Sequence, residues 1–395
     1  MRQTRILPAT LGALALVALV AAAALAFGPT DIATPETSAG ASGAEPDRPD
    51  VAWVFFSQLP PGGGPGTFVV QAGLFGEPRP RVDVEVPWAV DTTVDIARTP
   101  AVSRPAAGAV VYVADDGTTS AIQRLAVEPG ATPQAVAELD DVVWSIAAAP
   151  DGTAAFAAVV ARGRPDVDLG VFRVALDGSG AIEPFVPPLA LEPDDSIRLV
   201  AVAPFTVTLD ISADGRYLAR TACRGAAGCA TSLIELSSKE ILELPNLTVT
   251  DLGIGGMIVA DACGAAGCTA KLIDVESGAA LDLPGSAWDT TVMIREDRPV
   301  VVAIEGNGVS SSVVITDPQS GGRRELYRAP DESWMVLGSR AYMVTSPDGA
   351  VLIGESSDRG GQMRQRFLLV PLDGGAPIEL PAPAFRQVGP PAAKG

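Results

Sequence analysis

The chain contains no histidine. That removes Ser-His-Asp and Cys-His nucleophile pairs, His-ligated zinc or copper, and histidine as a general base. Catalysis would have to come from carboxylates, Tyr, Lys or a Ser-Lys pair. A glycosidase reading needs two carboxylates about 5–9.5 Å apart, and acidic residues are plentiful, but sequence does not show which of them converge. The four cysteines fall as Cys223-x5-Cys229 and Cys263-x4-Cys268. Each pair brackets a Gly/Ala turn between two expected antiparallel strands, which reads as two local disulfides. A zinc site is the rival, with less suitable spacing. Hard oxygen donors occur in loops at Asp166 and Asp168, and as the doublets Asp115-Asp116, Asp140-Asp141 and Asp194-Asp195. None completes a calcium-loop pattern. They read as solvated acidic turns with no cofactor, and Ca2+ is the weaker alternative.

Four of the five tryptophans recur at one place in the chain's rhythm. Trp88, Trp144, Trp288 and Trp334 each follow an outer-strand segment and precede the next inner strand. Two of these neighbourhoods share a string, Trp88-Ala89-Val90-Asp91-Thr92-Thr93-Val94 and Trp288-Asp289-Thr290-Thr291-Val292. The same stretches carry Asp91, Asp140, Asp141, Asp289, Asp331 and Glu332. One reading packs each indole between neighbouring sheets, where its large area stabilises the contact. The other makes an aromatic, acidic face suited to a sugar or a cationic peptide. These ten residues form the candidate ligand site.

The elements that position them begin after residue 50. Ile6 to Phe27 is 22 residues without a charge, behind Arg2 and Arg5. A helix of that length spans about 33 Å, enough for a bilayer core. The arginines place the short N-terminal tail inside and the remainder outside. A cleavable signal is equally readable, since Ala24-Leu25-Ala26 is a small-residue cleavage pattern. Residues 28–50 carry no hydrophobic periodicity and read as a flexible linker. The net charge of −19 repels phosphate backbones, which argues against nucleic acid as a partner.

From residue 51 the chain repeats. Tyr217–Asn246 and Met257–Gly285 share an order: strand, Cys-bounded turn, strand, turn, short strand ending in Leu-Pro. Related closing segments occur at 82–87, 135–140, 182–187, 241–245, 280–284, 325–330 and 378–381. The runs are short, rich in Val, Ile and Leu, and bounded by Gly, Asp and Pro, as strands are. Seven units of about 48 residues match four-stranded propeller blades. The expected fold is therefore all-β: a single β-propeller, most simply of seven four-stranded blades, with six or eight as alternatives. A hydrophobic helix precedes it. The domain reading is 1–27 anchor or signal, 28–50 linker, 51–385 propeller and 386–395 tail. The first unit is one strand short, and the C-terminal tail is the expected donor.

Asp-Gly turns recur at Ala149–Gly152, Ser212–Gly215 and Ser346–Gly349, with Leu-Asp-Gly turns at Leu176–Gly178 and Leu372–Gly374. Asp151, Asp214 and Asp348 read as turn formers, because Gly accepts positive φ and Asp bonds its own backbone. Together these turns resemble the WD-like repeats of the TolB β-propeller, over roughly residues 51–383. The α/β domain that TolB proteins carry in front is absent from this chain, so the resemblance implies fold and not TolB's role. The functional expectation is a non-enzymatic, extracytoplasmic binding or scaffold module of the cell envelope. It would recognise a protein, peptide or glycan at one face, and would be tied to the membrane if the helix is retained. A carboxylate-based carbohydrate-active enzyme is the alternative. On the anchor reading the mature protein sediments with membranes and needs detergent for release. N-terminal sequencing that begins at Phe27 or later would instead establish cleavage.

Overall fold

A computed structural model describes residues 52–59, 66–74, 80–89, 101–189, 206–224, 228–245, 247–264, 267–283, 290–295, 298–306, 311–330, 334–337, 344–345, 350–359 and 362–380. The N-terminal apolar stretch, the linker and the tail after 380 lie outside them. Every long element is a strand, and the strands form six sheets.

The first sheet runs β1 (Ala52–Leu59), β2 (Gly66–Leu74), β3 (Val82–Trp88), β4 (Ala109–Asp115), β5 (Ser120–Ala126) and β6 (Gln134–Leu139). The second holds β7 (Val142–Ala148), β8 (Ala154–Ala161), β9 (Arg164–Ala175) and β10 (Ile182–Val186). The third holds β11 (Thr206–Ile211), β12 (Tyr217–Arg224), β13 (Gly228–Glu235) and β14 (Ile241–Pro245). The fourth comprises β15 (Leu247–Leu252), β16 (Met257–Gly264), β17 (Gly267–Asp274) and β18 (Ala280–Asp282). The fifth comprises β19 (Thr290–Arg295), β20 (Arg298–Gly306), β21 (Ser311–Thr316) and β22 (Arg323–Arg328). The last has β23 (Trp334–Leu337), β24 (Val344–Thr345), β25 (Ala350–Arg359), β26 (Gln362–Pro371) and β27 (Ile378–Leu380).

This is a single β-propeller of six blades, not seven. Each of the seven closing segments contributes to a strand, from β3 to β27. Two of those strands, β3 and β6, share one sheet, because Trp88 forms a parallel bridge to Asp115 and the Ala89 N–H donates to the Asp115 carbonyl at 2.8 Å. One ladder therefore runs through what the sequence divides into two units. The expected loan of a C-terminal strand to the first unit is not seen in the described residues, where β27 pairs with β26.

The radial stacking follows from which residues are apolar on both faces. The second strand of a blade lies between two neighbours, so it reads as a continuous apolar run rather than an alternation. β8, AAFAAVVA, is buried from Ala154 through Val160. Alternate side chains then serve opposite neighbours. On β16, Ile258 and Ala260 pack with Tyr217 and Leu233 of the third sheet, whereas Val259 packs with Val292 and Val301 of the fifth. On β20, Val301 faces the fourth sheet, while Val300 and Val302 pack with Val351 and Ile353 of the last. The core is thus a series of sheet-to-sheet seams. Each fully buried Val or Leu in them contributes about 1.5–3 kcal/mol. Outer strands such as β14 and β18 stand mostly in solvent.

The Asp-Gly turns work as the sequence expects at the two described sites. The Asp151 carboxylate accepts from the Thr153 N–H at 3.0 Å, and Gly152 takes φ 70°. The Asp214 carboxylate accepts from the Ser212 hydroxyl at 2.5 Å and the Arg216 N–H at 3.1 Å. It also accepts from the Gly255 N–H of the next blade at 2.8 Å, so this turn doubles as a link between blades. Asp348 lies outside the described residues.

The register places Cys223 directly across from Cys229 on β12 and β13, and Cys263 across from Cys268 on β16 and β17. Directly opposed residues of antiparallel strands have Cα atoms about 4.5–5.5 Å apart, within disulfide reach. Peptide mapping without reduction is expected to recover the links Cys223–Cys229 and Cys263–Cys268. Reduction should cost about 2 kcal/mol per bridge, because each closes a short loop. Free thiols, or links between blades, would contradict the pairing.

Candidate functional site

A cluster of charge joins the first strands of several sheets. Residues 101–106 run beside β4: the Ser103 N–H donates to the Val111 carbonyl, and the Val113 N–H to the Ala101 carbonyl. From this strand Arg104 reaches Asp251 on β15, with Nη2 2.7 Å from a carboxylate oxygen, and Asp210 on β11, at 3.6 Å. Asp251 also accepts from the Thr291 hydroxyl and from the Val292 N–H at 2.8 Å, both on β19. One guanidinium thus draws together the first, third, fourth and fifth sheets. Arg104 and Asp251 are 147 residues apart, and their sheets are not sequence neighbours. Such a contact requires the inner strands to converge about a common axis.

Local sequence aims these groups inward. β15 carries a bulge between Val249 and Asp251, so Thr250 is the extra residue. The bulge re-aims the side chain that follows it. A bulge at the matching place in β7, between Val143 and Ser145, sets Ser145 to accept from the Leu209 N–H at 3.0 Å. Burial raises the Asp251 pKa, but Arg104's charge and the bonds from Arg104, Thr291 and Val292 outweigh it. The net effect holds the carboxyl below the usual carboxylate range. The Asp210 charge pushes Arg104 the other way, above its ordinary value, despite opposition from burial. Both partners are firmly ionised. About a third of the Arg104 side chain meets solvent (34%), whereas Asp251 is 3% exposed. The arrangement can hold a fixed charge pattern at the axis. Asp251 is held in its ionised form, the opposite of the proton-bearing acid that glycoside cleavage requires.

Two of the four tryptophan side chains are described, and both pack against apolar neighbours. Trp88 ends β3 and is 4% exposed, its indole N–H without a partner among the described residues. It packs into the seam instead of presenting to solvent. Trp144 is the extra residue of the β7 bulge and lies half-buried against the same core. Trp334 opens β23, its side chain outside the description, and Trp288 lies outside the described residues with Asp91, Asp289, Asp331 and Glu332. Asp140 is exposed, and its carbonyl accepts from Arg162 Nε at 2.6 Å. The Asp141 carboxylate accepts from the Arg162 N–H at 3.1 Å. The two acids therefore help seat an arginine.

Two acids expected in solvated turns are structural. Asp115 is fully buried and holds Arg162 of the second sheet at 2.9 Å and the Ser120 hydroxyl at 2.6 Å. Asp168, 7% exposed, pairs with Arg220 of the third sheet and accepts from the Leu189 N–H at 2.6 Å. Both face an arginine because a buried carboxylate needs a charged partner or several donors. Asp116 does behave as a turn acid: bonds from Thr118 and Thr119 lower its pKa to about 2. Asp166 is described only in its backbone, and Asp194 and Asp195 lie outside the description.

The axial residues escaped the sequence reading, although a signal exists. Thr206-x-Thr208-x-Asp210 and Thr248-x-Thr250-Asp251 place an acid in consecutive apolar inner strands, and Thr290-Thr291 follows in the third. An acid there must have a partner.

No known family model matches the chain, and no curated protein matches it. Solved structures do. TolB from Acinetobacter baumannii is 13% identical, with 85% of this chain and 80% of that one covered and a TM-score of 0.41. A putative TolB from Agrobacterium tumefaciens is 12% identical, covering 63% and 83%, with a TM-score of 0.39. A structure from a study of two prolyl endopeptidases is 11% identical, with a TM-score of 0.50. The alignment covers 84% of this chain but 49% of that one, about half of the endopeptidase. The likeness is one of fold.

Asp251→Asn removes a charge and leaves Arg104 with Asp210 alone. The expected loss is about 2–3 kcal/mol in denaturant unfolding, below the 3–5 of a fully buried pair because Arg104 is partly solvated. A carboxyl with a lowered folded pKa stabilises above its unfolded value and loses that contribution as pH falls through the folded one. The gap between wild type and variant should therefore hold from pH 7 to pH 5 and shrink below about pH 4. A gap independent of pH would contradict the ionised clasp.

Proposed function

We propose that the chain is a non-enzymatic binding module of the cell envelope that takes a partner at the axial face of its propeller. The observation that carries this reading is the Arg104–Asp210–Asp251 cluster, a fixed and partly solvated charge pattern on converging inner strands. The cluster carries one more carboxylate than guanidinium, although both acids lie buried (7% and 3% exposed) behind Arg104; the preference for a cationic segment therefore rests on the long-range field of the chain's −19 charge. A peptide or protein segment with exposed lysines fits this chemistry better than a neutral glycan. An extracytoplasmic location is supported by the uncharged Ile6–Phe27 stretch and by cysteines placed in cross-strand register.

The carbohydrate-active alternative needs one carboxyl that keeps its proton near neutrality. Asp251 is shifted in the opposite direction. A peptidase of the Ser-His-Asp kind has no histidine to draw on within this chain.

The test titrates the full chain, in non-ionic detergent, with a labelled decalysine peptide, a decaglutamate peptide and a neutral oligosaccharide. Decalysine should bind, weaken as salt rises, and bind about tenfold less tightly to Asp210→Asn. Equal binding to wild type and variant would overturn the axial site. Oligosaccharide cleavage that Asp251→Asn abolishes would establish the enzyme instead.

A further inference from the structure

The outer rim carries a second surface, distinct from the axial cluster and independent of it. A groove of about 480 Å³ opens between the third and fourth sheets, lined by Tyr217, Leu233, Glu235, Glu240, Ile241, Leu242 and Val275. Among the described residues the exposed large apolar side chains are Ile241 (43%), Leu242 (46%) and Leu281 (44%). Two of them line this groove. The third, on β18, occupies the place in its repeat that Leu242 occupies in β14: Ile241-Leu242-Glu243-Leu244-Pro245 answers Ala280-Leu281-Asp282-Leu283-Pro284. Neighbouring blades thus present a leucine at the same point of the rim.

β14 is the terminal strand of its sheet, bonded to β13 from Ala230↔Pro245 to Ile234↔Ile241. Among the described residues its outward N–H and C=O groups have no strand partner, which makes the edge a template for another strand. Natural edges are commonly blunted by lysine, proline or a bulge. Here Pro245 closes one end, while Ile241–Leu244 carries no basic residue and no register shift.

We propose that this edge accepts an extended partner segment that adds a strand to β14, in which apolar residues alternate with lysine or arginine. Strand addition takes its affinity from main-chain bonds and its selectivity from pockets for alternate side chains. The groove wall supplies such a pocket through Tyr217, Leu233 and Val275. The basic half of the pattern is fixed by charge. Glu235 and Glu240 line the groove, Glu243 lies on the strand itself, and Glu276 borders it through Tyr217 and Arg216. Arg216 offsets part of this charge, bonding Glu235 at 3.3 Å and also Glu276. A second copy of the chain would bring the same acids and another −19 to the seam, so like charges oppose a homodimeric edge.

The experiment uses the full chain in non-ionic detergent and a fluorescein-labelled decapeptide of alternating valine and lysine, capped at both ends. Controls are the valine–glutamate peptide and the valine–lysine peptide N-methylated at alternate residues, which keeps its charge but cannot pair along one edge. The first peptide should bind, with both controls at least tenfold weaker. Leu242→Lys and Glu240→Lys should each weaken it about tenfold. Both positions are exposed, and unchanged circular dichroism and melting temperature would show the fold intact. Equal binding of the N-methylated peptide, or no effect of Leu242→Lys, would overturn the proposal. So would a dimer in sedimentation that Leu242→Lys dissolves, since the edge would then belong to a second copy. Decalysine binding that fails at the axial face leaves these outcomes readable, because they depend on β14 alone.

Discussion

One guanidinium at the axis carries the logic of this fold. A stack of sheets can satisfy every seam between neighbours and still remain an open pile. Arg104 is bonded to Asp251 and close to Asp210, while Thr291 and the Val292 N–H complete the Asp251 shell. Those groups come from sheets that are not all neighbours, so the innermost strands must converge for the contact to exist. The free energy lies in avoiding an unpaired buried carboxylate, whose desolvation cost far exceeds that of a lost neutral hydrogen bond.

Polar and ionic links also join other pairs of sheets. Asp115 with Arg162 links the first and second sheets, and Asp168 with Arg220 links the second and third. Asp214 with the Gly255 N–H, and Arg216 with Glu276, join the third and fourth. Tyr327 with Glu355 joins the fifth and last, where burial and the Glu355 carboxylate drive the phenol pKa well above its ordinary value. Apolar seams are non-directional and would tolerate sliding. An ion pair with a buried carboxylate has a defined geometry, so the Asp115–Arg162 and Asp168–Arg220 links fix the rotation and height of one blade against the next. Much of the acidic excess nevertheless remains outside these links and gives the molecule its field. Function then falls to the parts of that charge that solvent can reach, at the axis and along the β14 rim.

The repeating grammar of the strands was legible in the sequence. All seven closing segments are strand material, the Asp-Gly turns at Asp151 and Asp214 bond their own backbone, and the cysteines stand in register, because these depend on neighbours a few residues away. The blade count was less legible. A single bridge from Trp88 to Asp115 merges two units, and nothing local to Trp88 announces a partner in β4. Their spacing places the tryptophans in connections, yet Trp88 and Trp144 lie in strands, the latter displaced by a bulge that sequence spacing does not reveal. Arg104 carried no periodic signal, since its partners lie in distant repeats. Its acids could have been found: an aspartate within a run such as Thr206–Ile211 demands a partner, although the sequence does not say which.

Hydrogen–deuterium exchange on the full chain, comparing wild type with Arg104→Met, tests the axial clasp most directly. Amide protection reports local opening free energy. If Arg104 holds the inner strands together, its removal should speed exchange about tenfold or more in β11, β15 and β19 alike. The Val292 amide, bonded to Asp251, should be included, while β26 in the last sheet should keep its rate. A loss of protection confined to residues 101–106, with β11, β15 and β19 unchanged, would contradict the account.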